Sequence, residues 1–192
     1  MIKAVIFDLN GVFVQSPNLS DRFKEKFGVP VEIFLPALKE IMVKVRMPNA
    51  GDAFAYWRPY LEKWDVDLTE KEFFDFWFST EKEVPELIEL AKEVKQKGFK
   101  IFVLSNNFSE RADYYKRNFS FLDIFDKIYY SWQTGFVKPS SKAFENLLGE
   151  NNLLPAECLY FDNSEENIKV ANALGINAHL FEDINSIKKV IL

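Results

Sequence analysis

Three short runs of uninterrupted apolar residues mark the chain, and each ends abruptly in polar ones. Ala4-Val5-Ile6-Phe7 stops at Asp8-Leu9-Asn10-Gly11. Lys100-Ile101-Phe102-Val103-Leu104 stops at Ser105-Asn106-Asn107, and Cys158-Leu159-Tyr160-Phe161 stops at Asp162-Asn163-Ser164. Short runs without polar alternation are the pattern of strands buried on both faces, as in parallel sheets. Weaker strand patterns occupy Lys127–Tyr130 and Ala178–Phe181. Between the runs the apolar spacing is helical. Leu87, Leu90, Ala91 and Val94 define a helix over Pro85–Lys97 closed by Gly98. Ile168, Val170, Ala171 and Leu174 define another over Glu165–Leu174 closed by Gly175, and Ser109–Asn118 and Ser140–Leu148 complete the set. Strands alternating with helices from about residue 83 onward predict an open parallel α/β sheet.

The stretch from about Ser20 to Thr80 is different. Helical patterns over Val31–Lys44, Ala53–Trp64 and Lys71–Phe78 carry a dense set of aromatic residues, among them Phe54, Trp57, Phe73 and Trp77. They predict a small helical bundle inserted after the first strand, with the aromatics as its core and a few free to line a pocket against the sheet. Trp57 fits either role.

At 192 residues, 48% hydrophobic, the chain is long enough for one domain with an insertion. With 28% charged residues and a net charge of −5 there is no basic stripe, so no nucleic-acid partner is expected. No apolar run reaches membrane-spanning length, and Met1-Ile2-Lys3 opens no signal pattern, so no membrane partner and a cytoplasmic location are expected. A single cysteine, Cys158, excludes an internal disulfide and CxxC sites, and a single histidine, His179, excludes multi-histidine metal sites. Catalysis would have to run on carboxylates, hydroxyls, amides and Lys or Arg. The three strong strands all end in such groups, at the edge where open α/β sheets bind ligands. Asp8, Ser105 and Asp162 would converge there. A carboxylate can act as a nucleophile, and a second one beside it calls for a cation, for which Mg²⁺ is suited by its preference for oxygen ligands. A hydroxyl and a lysine could hold a transferring phosphoryl group, and Lys138, at a loop-to-helix junction before Pro139, is suitably placed.

Taken in order, Phe7-Asp8-Leu9-Asn10-Gly11-Val12, Leu104-Ser105-Asn106-Asn107, Gly135-Phe136-Val137-Lys138-Pro139 and Tyr160-Phe161-Asp162-Asn163-Ser164-Glu165-Glu166-Asn167 resemble the four motifs of the haloacid dehalogenase-like hydrolase superfamily. Within it the chain looks most like the glucose-1-phosphatase and epoxide-hydrolase N-terminal phosphatase group. The resemblance implies a Rossmann-like core over 1–14 and 83–192 and a helical C1 cap over 15–82. It also implies that Asp8 is the nucleophile, that Asp8, Asp162 and the backbone carbonyl of Asn10 hold Mg²⁺, and that Ser105, Lys138 and Asn106, by side chain or amide, bind phosphate. Asn163 or Glu166 would act behind metal-bound water. In the cap, Arg46, Asn49 and Asp52 of the loop 46–52 are candidate substrate contacts, with Gln15 and Ser16 at the entrance. The implied substrate is a small phosphorylated metabolite such as a sugar phosphate, and the implied assembly a monomer or homodimer.

One position departs from the pattern. Phosphatases of the superfamily carry Asp two residues after the nucleophile, to protonate the leaving group and then activate water. This chain has Asn10. An amide cannot deliver that proton, and general acid–base catalysis is typically worth about 10²–10⁴-fold. Three readings follow: an engineered Asp→Asn change, a natural slow phosphatase or non-catalytic phospho-ligand binder, or metal-independent dehalogenase chemistry. The last would want a cap arginine, for which Arg22, Arg46 and Arg58 are available.

Overall fold

The computed structural model describes residues 1–191. Its elements are, in chain order, β1 (Ala4–Phe7), β2 (Val14–Gln15), α1 (Leu19–Phe27), α2 (Val31–Val45), α3 (Ala53–Lys63), α4 (Glu70–Phe78), β3 (Lys82–Glu83), α5 (Pro85–Gln96), β4 (Lys100–Ser105), α6 (Ser109–Asn118), β5 (Lys127–Tyr130), α7 (Ser131–Thr134), α8 (Ser141–Asn151), β6 (Cys158–Asp162), α9 (Glu165–Ala173), β7 (Asn177–Leu180) and α10 (Ile184–Ile191).

A five-stranded sheet in the order β5-β4-β1-β6-β7, parallel throughout, forms the centre. The apolar runs alternate between its two faces. Val5, Phe7, Ile101, Val103, Leu159 and Phe161 enter one buried cluster with α5, α6 and α10. Ala4, Ile6, Phe102, Leu104, Cys158 and Tyr160 enter the opposite cluster with α8 and α9. Covering both faces is what removes polar residues from these strands. The register sets Phe7 opposite both Val103 and Phe161, so Asp8, Ser105 and Asp162 emerge together at the carboxyl edge.

Helices α1–α4 hang from a two-stranded stem. β2 and β3 pair antiparallel, Val14 opposite Glu83 and Gln15 opposite Lys82, so the chain leaves and re-enters the sheet side by side. The expected boundaries at 15 and 82 fall in this stem. The four helices pack on their own aromatic core, in which Phe23, Phe34, Trp57 and Phe73 are fully buried. Trp57 is therefore core, stacked on Phe34 at 5.4 Å, and does not wall the pocket. Helix α1, with Leu19, Phe23 and Phe27 at four-residue spacing on one face, is an addition to the expected set; it ends where Gly28 takes a left-handed φ of 70°. Helix α8 runs on past Leu148 because Gly149 is accommodated and Asn152, in the left-handed region, supplies the stop.

The insertion is docked on the sheet. Phe108, at the start of α6, lies 5.3 Å from Trp77 and 6.1 Å from Phe78 in the aromatic core of the insertion. The amide of Ala53 donates to Glu110 Oε1 at 2.8 Å, and the Pro48 side chain reaches within 3.4 Å of the position a Cβ would take on Gly135. The loop 46–52 thus spans from α6 to the segment that carries Lys138.

Candidate active site

Lys138 is buried at the centre of the convergent strand ends. Its Nζ donates to Asp8 Oδ1 at 2.8 Å, to Asp162 Oδ2 at 2.6 Å and to Tyr160 Oη at 3.1 Å. Asn106 holds the lysine in place through its backbone: Asn106 Nδ2 donates to the Lys138 carbonyl and the Lys138 amide donates to Asn106 Oδ1, each at 2.8 Å. The Asn106 side chain, expected to assist phosphate binding, is used mainly to clamp Lys138. Its amide group is engaged by the Lys138 backbone on both sides, which leaves one Nδ2 hydrogen and the backbone N–H for a ligand.

The two carboxylates are treated differently by their surroundings. Burial lifts Asp8 above the ordinary carboxylate value, with Lys138 opposing and Asp162 adding to the rise. Burial also pushes Asp162 up, but Lys138 and hydrogen bonds from Lys138, Tyr160 and the Ser164 amide outweigh it and hold this carboxyl below its ordinary value. Asp162 Oδ1 accepts from the Ser164 amide at 2.8 Å, and Oδ2 accepts from Lys138, from the Tyr160 hydroxyl and from Asn167 Nδ2 at 2.9 Å. Asp162 is thus immobilised. Its neighbours Tyr160 and Asn167 are site residues that the motif reading leaves without a role. Tyr160 was findable, because residues two apart in a strand share a face. Asn167 lies one turn into α9 and takes the place expected of Glu166, which stands exposed on that helix.

Asn10 faces the same space. Its Nδ2 donates to Tyr115 Oη at 2.5 Å, and Ser105 Oγ lies 3.5 Å from its Oδ1. In the loop after β1 the amides of Val12, Phe13 and Val14 all go to the Leu9 carbonyl, and none goes to that of Asn10. Gly11, at φ 88°, lets the chain turn under Asn163; a Cβ there would meet Asn163 Nδ2 at 2.1 Å. A cavity of about 460 Å³ opens beside this loop, lined by Asn10, Gly11, Val14, Gln15, Ser16, Arg111 and Asn163. Gln15 and Ser16, expected at the entrance, line this cavity next to Asn10.

The expected contacts from the loop 46–52 divide. Arg46 is partly buried, with its Nε enclosed and unpartnered, and burial lowers its guanidinium. Asp52 is instead the cap of α3, its Oδ1 accepting from the Phe54 amide at 2.8 Å, and Asn49 makes an exposed turn at φ 59°. The Asp52 side chain is thus committed to its own helix, whereas the Asn49 side chain stands exposed. Of the other arginines, Arg22 donates to the carbonyls of Phe76 and Trp77 at the end of α4, and Arg58 is exposed beside Phe54.

The donor set suits Mg²⁺. Among the described residues no cluster of three or more His, Cys, Asp or Glu side chains exists. Two carboxylates and one uncommitted carbonyl, at position 10, are instead the sparse oxygen set that Mg²⁺ accepts while keeping water and substrate oxygens as its other ligands.

Residues 2–175 match the family model of the haloacid dehalogenase-like hydrolases. Among curated proteins, the chain is 27% identical to mouse acyl-CoA dehydrogenase family member 10 over 91% of its own length, and 23% identical to pig bifunctional epoxide hydrolase 2 over 96%. It spans only 17% and 37% of those proteins. Among solved structures, a HAD-family enzyme of Bacteroides thetaiotaomicron in complex with magnesium and inorganic phosphate superposes with a TM-score of 0.80. It is 22% identical, and the match covers 97% of this chain and 99% of that one. The L-2-haloacid dehalogenase of Xanthobacter autotrophicus with covalently bound chloropropionic acid superposes at 0.69 and 16% identity, covering all of this chain and 85% of that one.

Proposed function

The chain belongs to the haloacid dehalogenase-like hydrolases, and from that premise we propose that it is a Mg²⁺-dependent phosphomonoesterase of small phosphorylated metabolites, with Asp8 as nucleophile. The observation that carries this reading is the placement of one buried ammonium, Lys138, between Asp8 and Asp162. A carboxylate nucleophile needs to be aimed and its charge balanced before an anionic substrate can approach, and Lys138 does both. Asp8, Asp162 and the Asn10 carbonyl would hold Mg²⁺, which when bound offsets negative charge on the phosphoryl oxygens.

In the proposed reaction an Asp8 carboxylate oxygen attacks phosphorus and the ester oxygen leaves, giving an aspartyl-phosphate; water then attacks phosphorus and returns the carboxylate. Ser105 and Lys138 donate to the phosphoryl oxygens. Asn10 stands where an acid would protonate the leaving oxygen and later take a proton from water. Its amide does neither, so turnover is slow. No nucleic acid or membrane enters this reading, and no helix of the described residues is long and apolar enough to cross a membrane.

A second reading, dehalogenase-type ester formation on Asp8, is favoured by Asn10, which leaves the site without the acid a phosphatase uses. The test is a panel of phosphomonoesters offered to the chain and to Asn10→Asp, with and without Mg²⁺. Hydrolysis that needs Mg²⁺ and rises by about 10²–10⁴-fold with Asp supports the proposal. Failure of both forms on every ester, or indifference to Mg²⁺, refutes it. Release of halide from 2-chloropropionate without metal would favour the second reading.

A further inference from the structure

Asn10 is held by its side chain as well as by its loop. The Gly11 amide donates to the Val14 carbonyl at 2.7 Å, which fixes the backbone beneath it. Asn10 Nδ2 donates to Tyr115 Oη at 2.5 Å. Tyr115 has little room to give way: it is fully buried on α6, and its ring stacks on Phe119 at 5.3 Å. An Asn side chain has a donor end and an acceptor end. With the donor end tied to Tyr115, the acceptor Oδ1 is turned towards Ser105 Oγ, 3.5 Å away at the converging strand ends.

That polarity decides which leaving groups the site accepts. In the proposed reaction position 10 stands beside the atom that departs from phosphorus. An ester or anhydride oxygen departs with growing negative charge and brings only lone pairs, so Oδ1 repels it. A nitrogen that carries hydrogen is different. A phosphoramidate enters with its nitrogen protonated, keeps those hydrogens while the P–N bond breaks, and can donate one to Oδ1 throughout. It needs no acid from the protein, because the nitrogen already holds the proton that an ester oxygen would have to be given. Arg111, which lines the same cavity, pairs with Glu81 Oε1 at 2.5 Å. Its charge is therefore balanced and does not bar an ammonium-like group.

We propose that this enzyme takes the phosphoryl group from phosphoramidates, compounds with hydrogen on a phosphorus-bound nitrogen, in preference to donors with an oxygen leaving atom, and that Tyr115 is the positioning residue that sets the preference through Asn10. An Asp8 oxygen bonds to phosphorus, the P–N electron pair goes to nitrogen, and the nitrogen departs as a neutral amine. Water then attacks the aspartyl-phosphate, its proton passes to the released phosphate, and Asp8 returns as carboxylate. The inference rests on the reading of Asp8 as nucleophile and adds a substrate class to it.

The test compares two small, reactive phosphoryl donors that need no acid, phosphoramidate and acetyl phosphate. With Mg²⁺ present, the rate at which each places a phosphoryl group on Asp8 is followed by rapid quench and mass spectrometry. Their intrinsic reactivities differ, so the ratio of the two rates in the parent is divided by the same ratio in Asn10→Ala, which keeps the backbone carbonyl and loses the acceptor. The quotient should be at least roughly ten, the scale of one charge-assisted hydrogen bond. Tyr115→Phe keeps the ring and frees the amide to turn. Its ratio should fall towards that of Asn10→Ala, whereas a purely structural effect would slow both donors alike. If Tyr115→Phe does not fold, the quotient against Asn10→Ala decides alone. Equal ratios in the parent and Asn10→Ala, or a folded Tyr115→Phe with the parent's ratio, would overturn the proposal and leave the Asp8 reading intact. An Asp8 adduct from neither donor would remove the nucleophile itself, and the proposal with it.

Discussion

Replacing Lys138 by Met removes the one cation between two buried carboxylates. The Lys138 side chain is 2% exposed, Asp162 1% and Asp8 11%, so water cannot take over. Breaking a buried ion pair typically costs about 3–5 kcal/mol. The structure also shows how the cost is limited. Asp8 is already lifted by burial, so it is the group that will take up a proton once Lys138 is gone. Holding Asp8 neutral costs about 1.4 kcal/mol for each pH unit above the ordinary value of 3.8, hence roughly 4 kcal/mol at pH 7 and roughly 1.5 kcal/mol at pH 5. The sign follows: a carboxyl whose folded pKa is raised loses stability as pH rises through that pKa. In the parent, Lys138 keeps Asp162 below 3.8 and restrains Asp8, so the parent changes less over the same window. Urea unfolding of Lys138→Met and parent at pH 7 and pH 5 should show a deficit near 4 kcal/mol that shrinks by more than half. A deficit below about 1 kcal/mol at pH 7, or one equal at both pH values, would refute the central placement of this ammonium.

Two further predictions use single reporters. Burial pushes the Cys158 thiol up to about 11, so at pH 8 only about one molecule in a thousand carries the thiolate; iodoacetamide should label the native chain far more slowly than the urea-unfolded chain, and comparable rates would contradict the strand position of Cys158. Burial lowers the His179 imidazole, which stacks on Phe161 at 5.5 Å. Proton NMR of this lone histidine should give a titration midpoint below 6.5 in the folded chain and near 6.5 in urea. Since the folded pKa is the lower one, this residue's contribution to stability is present above 6.5 and declines as pH falls through the folded value.

The sheet was legible because its strands are buried on both faces. Val5 and Phe7 face one layer and Ala4 and Ile6 the other, so no polar residue interrupts the run until the chain emerges at Asp8. The same logic exposes Ser105 and Asp162. Strand order and the stem of β2 with β3 were not legible, since pairings of two residues leave no periodic trace. The wrong emphases share a cause. Asp52 and Asn106 are polar residues at loop positions, and sequence cannot say whether such a side chain faces a ligand or the adjoining backbone; here it caps α3 in one case and clamps Lys138 in the other. Arg111 and Glu81 escaped notice because they meet only when α4 and its following turn dock on α6. A signal did exist: Arg111 and Tyr115 are four apart on one helix face, and Glu81 is an acid in an aromatic stretch that would otherwise read as core.

The most direct test of the account is a rapid-mixing experiment with an aryl phosphate and Mg²⁺. A phenolate that leaves without help makes formation of the aspartyl-phosphate independent of the missing acid, whereas its hydrolysis still lacks a base because position 10 is Asn. The account predicts a burst of phenolate approaching one equivalent per chain, then slow turnover, with a phosphoryl adduct mapped by peptide mass spectrometry to Asp8. In Asn10→Asp the burst should disappear into a faster steady state, and in Asp8→Asn both burst and adduct should be absent. Steady turnover with no adduct, together with activity that survives Asp8→Asn, would contradict it.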